Sequence, residues 1–128
     1  MAIYSGYRWL IDEFVEIASG DVVANRIRQN GHDVRTKDSN DFPLSAEEEE
    51  EKELLMSLAP EARIMVAKMI DEARRSAIHD LACFLESKIS VGKMSIFVDD
   101  KKLEESPYAS YHYDFICRLE GDRWPDLD

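Results

Sequence analysis

The chain has 128 residues, 45% of them hydrophobic and 34% charged, with only 5 glycines and 4 prolines. A chain of this length buries roughly two-thirds of the surface it exposes when unfolded, so a true core is available and the composition is that of a folded protein. Its 27 acidic against 16 basic side chains give a net charge of -11, which repels the phosphate backbone that nucleic-acid binders neutralise; no nucleic-acid partner is expected.

Tyr7, Leu10, Ile11, Phe14, Ile17 and Ala18 recur at three- and four-residue steps and predict a first helix, with Ser5 as N-cap and Gly20 as stop. Arg8, Asp12, Glu13 and Glu16 interrupt that stretch, which therefore lacks the uncharged core of a signal peptide. No run approaches the roughly 18 to 20 apolar residues of a membrane span, and the expectation is a cytoplasmic protein with no membrane contact. Asp21 is placed to cap a second, short helix carrying Val22, Val23, Ala24 and Ile27, which Asn30 and Gly31 end.

From His32 to Leu44 the periodicity vanishes and the segment reads as a polar loop anchored by Val34 and Phe42. Ser45 and Glu48 then match the capping box, in which each side chain satisfies the other residue's backbone N–H. The acidic run from Glu47 to Glu51 fills the first turns of this third helix, where carboxylates complement the positive end of the macrodipole. Leu54, Leu55 and Leu58 are expected to form its packing face, and Pro60 ends it. The next helix, from about Pro60 to Lys88, carries a predicted core stripe of Val66, Met69, Ile70, Ala73, Ala77, Leu81, Phe84 and Leu85. Ala73 and Ala77 read there as a close contact with a neighbouring helix.

Beyond Gly92 the period falls from 3.6 to 2. Met94, Ile96 and Val98 alternate with Ser95 and Phe97, and Asp99-Asp100 turns the chain back toward Leu103, a short β-hairpin near residues 94–103. Ser106-Pro107 offers an N-cap followed by a first-turn proline, so a last helix is predicted with Tyr108, Tyr111, Phe115 and Leu119 on its inner face and Gly121 at its end. Trp124-Pro125 is expected to fold back onto the core. The whole is a mainly α fold, a compact bundle of about five helices with one hairpin, read as a single domain over residues 1–128.

Few residues point to chemistry. His79 and Cys83 are four apart on one helix, and His112 and Cys117 five apart on another, so His79, Cys83 and His112 are candidate metal ligands; the spacing matches no standard zinc module, and no metal or cofactor is expected. Both cysteines fall among apolar residues and read as reduced, buried thiols rather than nucleophiles. Glu48 and Glu51 resemble one half of the paired carboxylates with which helical nucleotide pyrophosphatases bind magnesium, but Asp71, Glu72, Asp80 and Glu86 do not supply the matching pair. No catalytic residue is assigned.

The pattern Ile78-His79-Asp80-Leu81 through Leu85-Glu86, then Val98-Asp99-Asp100, Ser106-Pro107-Tyr108, Asp114-Phe115, Arg118-Leu119, Gly121-Asp122 and Trp124-Pro125-Asp126 resembles a family of small uncharacterised bacterial proteins. The likeness covers about 50 C-terminal residues, implies a compact domain of unknown function and carries over no catalytic residue. By elimination, the expectation is a non-catalytic protein-interaction module of immunity or regulatory type. Glu47, Glu48, Glu51 and Tyr113 are its contact candidates and a basic protein its partner; a small metal-dependent hydrolase is the alternative. The amphipathic helices also suit a homodimer.

Overall fold

The computed structural model describes residues 2–34, 43–103 and 110–125, with side chains from Ser5 onward. The protein is mainly α with one short antiparallel hairpin: helices α1 (Ala2–Ala18), α2 (Val22–Asn30), α3 (Ala46–Ser57) and α4 (Pro60–Ser90), strands β1 (Ile96–Val98) and β2 (Lys101–Leu103), and helix α5 (Tyr111–Leu119). Within the span read as one domain the backbone forms two compact units, one of Met1–Gly20 with Arg74–Asp128, the other of Asp21–Ala73. Among the described residues no helix is long and apolar enough to cross a membrane.

The first unit is built on α1. Tyr7, Ile11, Phe14 and Ala18, spaced four, three and four apart, bury one face of that helix against Ala82 of α4, Leu103 of β2, and Tyr111 and Phe115 of α5. The helix begins at Ala2, so Ser5 lies inside it and is not its cap. At the other end Gly20 acts through its lack of a side chain rather than through a left-handed conformation. A Cβ there would stand 2.8 Å from the guanidinium of Arg74, whose Nε donates at 2.5 Å to the carbonyl of Ile17, which also accepts from the Gly20 N–H at 3.2 Å. The arginine thus satisfies a C-terminal carbonyl of α1 that has no partner within its own helix.

The C-terminal segment closes this core as the sequence leads one to expect, although α5 starts later. Ser110 is its N-cap, accepting from the backbone N–H of Tyr113 at 3.2 Å; the Ser106-Pro107 signal and Tyr108 lie outside the described residues. Tyr111 and Phe115 are fully buried, and Tyr111 meets Tyr7 edge to face with ring centroids 5.1 Å apart. The Tyr7 hydroxyl of α1 donates to Asp114, a buried carboxylate on α5. Trp124 folds back as a clasp. Its Nε1 donates to one oxygen of Asp12 at 3.1 Å, while the other oxygen accepts from Arg118 Nε at 2.8 Å. Arg118 and Arg8 both lie over the indole, 5.1 and 5.7 Å from its centroid. Each such cation–π contact contributes about 0.5–1 kcal/mol at an exposed site.

The second unit has a smaller core. Ala24 and Ile27 of α2 and Ala67 of α4 are buried, with Leu55, Val66 and Ile70 packed around them. Asp21 precedes α2 without making a side-chain cap bond, whereas Gly31 ends that helix in the left-handed conformation, its N–H donating to Ile27. Met56 lies close over Gly31, where a Cβ would come within 2.7 Å of its sulfur. Both halves of the Ser45–Glu48 capping box are present, each at 3.1 Å. Arg63 donates to the Leu58 carbonyl beyond the end of α3 at 2.7 Å. Of the loop from His32 to Leu44, residues 35–42 lie outside the described residues, Phe42 among them; Val34 is buried.

The expected core stripe of α4 is rotated. Ala67, Ile70, Ile78, Ala82, Leu85 and Ile89 face the two cores, whereas Met69, Ala73, Ala77, Leu81 and Phe84 are exposed. The close approach assigned to Ala77 occurs at Ala82, which has no exposed surface. Leu54 of α3, also expected inside, points out.

Candidate functional site

Helix α3 carries six glutamates and one lysine in twelve residues. Glu48, Lys52 and Leu55, at steps of four and three, are the partly buried positions; Glu47, Glu50, Glu51 and Leu54 share an exposed face beside them. The carboxylate of Glu48, singled out from sequence together with Glu47 and Glu51, is engaged in the cap, a contribution of about 1 kcal/mol to the helix. Glu50 takes its place on the outer face. Leu54 stands one turn beyond Glu50 and Glu51 and is 64% exposed. An uncovered leucine bordered by carboxylates is a surface able to bury apolar area and attract positive charge at once.

The histidines and Cys83 do come together. His79, Cys83 and Glu86 are at i, i+4 and i+7 of α4, and the His79 ring meets that of His112 edge to face at 5.6 Å. The Cys83 sulfur lies 4.0 Å from both ring nitrogens of His79, equidistant from the two. Glu86 accepts from the Tyr111 backbone N–H at 3.1 Å and stands 3.0 Å from His112 Nδ1, so its main work is to satisfy the first turn of α5. Asp80 stands 3.8 Å from His79, too far for a hydrogen bond. Among the described residues no group of three or more His, Cys, Asp and Glu is placed to hold a metal ion. Burial, then the carboxylates of Asp80 and Glu86, push the Cys83 thiol above its ordinary value of 9.0, the wrong direction for a nucleophile. Both cysteines are free and half-buried, less enclosed than expected. Cys117 lies a turn beyond Tyr113 on α5, and its hydrogen bond to the Tyr113 hydroxyl is the first cause of a raised phenol pKa. Tyr113 itself is 57% exposed.

One feature of the first unit escapes sequence reasoning. Trp9 of α1 and Phe97 of β1, 54% and 63% exposed, flank a cleft of about 580 Å³ that Ser5, Gly6, Val98 and Asp99 complete. Gly6 makes the cleft wall, for a Cβ there would stand 3.1 Å from that of Val98. Both aromatics fall out of phase with their elements: Trp9 lies off the Tyr7-Ile11-Phe14 stripe, and Phe97 alternates against the inward Ile96 and Val98. An aromatic out of phase with each of two amphipathic elements, α1 and β1, was the signal available.

The chain belongs to a family of unknown function, DUF6547, whose model matches residues 3–126. The match therefore runs through the N-terminal half as well as the C-terminal residues on which the sequence resemblance rests. No curated protein and no solved structure matches the chain.

Proposed function

We propose that this chain is a non-catalytic interaction protein of immunity or regulatory type, acting in the cytoplasm on a basic protein partner. The observation that carries this reading is Leu54, exposed on the face of α3 that also bears Glu47, Glu50 and Glu51. The leucine supplies an apolar anchor and the glutamates supply long-range attraction, the division of labour common to interfaces that form quickly and hold specifically. Tyr113, exposed and amphipathic, is a further contact residue of the type enriched at interfaces. The alternative of a metal-dependent hydrolase finds less support. Glu48 is held by the Ser45 N–H, Asp71 pairs with Arg28 at 2.7 Å, and Glu86 is held by α5, so three of the carboxylates that reading would draw on are engaged otherwise.

The test is purification of the tagged full chain from its own host beside a Leu54→Asp variant. Because Leu54 is exposed, the variant is expected to keep its fold within about 0.5 kcal/mol. The expected result is a partner with a basic contact surface, retained by the parent chain and lost from the variant. An acidic partner, or equal retention by both chains, contradicts the reading.

A further inference from the structure

The hairpin has two unlike edges. Its register pairs Ile96 with Leu103, Phe97 with Lys102 and Val98 with Lys101, so the connection is the two-residue turn Asp99-Asp100. Both turn residues have positive φ, 51° and 62°, as the turn favoured in two-residue hairpins requires. In such a hairpin the pair flanking the turn exchanges both backbone bonds, and the next pair exchanges none. The N–H and C=O of Phe97 therefore point away from β2, toward the outer edge of β1.

Folded proteins usually guard an exposed strand edge with lysines, proline or a bulge. Strand β2 carries Lys101 and Lys102. The sequence of β1 is Ile-Phe-Val, with no charge and no proline, and its one outward side chain is Phe97 beside the Trp9 cleft. At the mouth of the cleft stands Asp99, which makes no ion pair or side-chain hydrogen bond among the described residues. Asn-Gly would form the same turn at less conformational cost; the two aspartates add negative charge where the edge opens. Lys102 faces outward with Phe97 but belongs to β2, on the side away from the open edge.

We propose that the outer edge of β1 accepts an extended segment of the basic partner as a third strand, pairing with the Phe97 backbone, while a cationic side chain of that segment lies between Trp9 and Phe97 and reaches Asp99. Main-chain pairing supplies register and the cleft supplies selectivity, as in other cases of strand addition. An arginine suits the site well, since its planar guanidinium stacks on aromatic faces and pairs with a carboxylate. This assignment rests on the basic-partner reading above and names the chemistry of one contact.

The experiment is a titration of the ¹⁵N-labelled full chain with three capped pentapeptides: Ser-Val-Arg-Val-Ser, the same peptide with Glu for Arg, and the Arg peptide with its central backbone nitrogens methylated. The Arg peptide is expected to shift the Phe97 amide and Trp9 indole resonances saturably by about 5 mM, the range in which single contacts of this size bind. The Glu peptide should bind at least about fivefold more weakly, and Asp99→Asn should weaken the Arg peptide by up to about fivefold, as for an exposed ion pair. Methylation and Trp9→Ala should each abolish the effect. Equal binding by the methylated peptide, or no saturable shift at Phe97, overturns strand addition; if the Leu54-dependent capture persists in that case, the basic-partner reading stands without it. Equal binding by the Glu peptide overturns the cationic seat.

Discussion

Phe115→Ala should lower the free energy of unfolding by about 3–5 kcal/mol, the usual cost of removing a fully enclosed aromatic ring from a core. Phe115 has no exposed surface and packs in the cluster where α1, α4, β2 and α5 contribute side chains, so no single neighbour can move to fill the space. Against a typical total stability of about 5–15 kcal/mol, such a loss leaves the chain close to its unfolding threshold. Urea denaturation followed by circular dichroism measures it. A loss below about 1 kcal/mol would show that this core does not hold the protein together.

Trp124→Ala should cost about 2–4 kcal/mol, less than a fully enclosed tryptophan because the indole is only partly covered. Three contributions are lost together. The ring packs edge to face on Tyr7 at 6.0 Å, its Nε1 donates to Asp12, and two guanidinium groups lie over its faces. Trp124→Phe separates them: it keeps most of the apolar area and removes the Asp12 bond, about 1.5–3 kcal/mol for a bond to a charged acceptor at most, less here because Asp12 retains Arg118. Thermal unfolding of both variants makes the comparison. Equal destabilisation by Phe and Ala would place the whole effect in the hydrogen bond and none in packing.

Local signals in the sequence were dependable where one residue type had one physical reason to be there. The Ser45–Glu48 box, Gly31 in its left-handed cap, the Pro60 break and the Asp99-Asp100 turn each follow from chemistry acting over a few residues. The inner face of α4 did not. Its apolar residues occupy much of the circumference, Met69, Leu81 and Phe84 on one side and Ile70, Ile78 and Leu85 on another, so periodicity offers two faces and only the neighbouring elements decide between them. The start of α5 is a similar case, since Ser110 and Ser106 are both acceptable caps and Ser110 is the one seen to accept a first-turn N–H.

The candidate sites show the same division. Glu47 and Glu51 are exposed as their helix-start position implies, but the capping box that marks Glu48 in the sequence is also what removes it from the surface role. His79, Cys83 and His112 do converge, and Glu86, six residues from the nearest carboxylate in sequence, proves to be the residue that ties α5 to α4. The Trp9–Phe97 cleft depends on α1 meeting the hairpin at Gly6, a long-range contact that no window along the chain contains.

If the outer face of α3 attracts a basic partner, the rate of association must depend on ionic strength. With the captured partner in hand, stopped-flow association should slow by about tenfold between 0.05 and 0.5 M salt for the parent chain, as steering is screened. The Glu47→Gln, Glu50→Gln, Glu51→Gln triple variant, which leaves the Glu48 cap intact, should associate slowly even at low salt and lose most of that dependence. A parent chain whose association rate is indifferent to salt, or a triple variant that keeps the full dependence, would contradict the account.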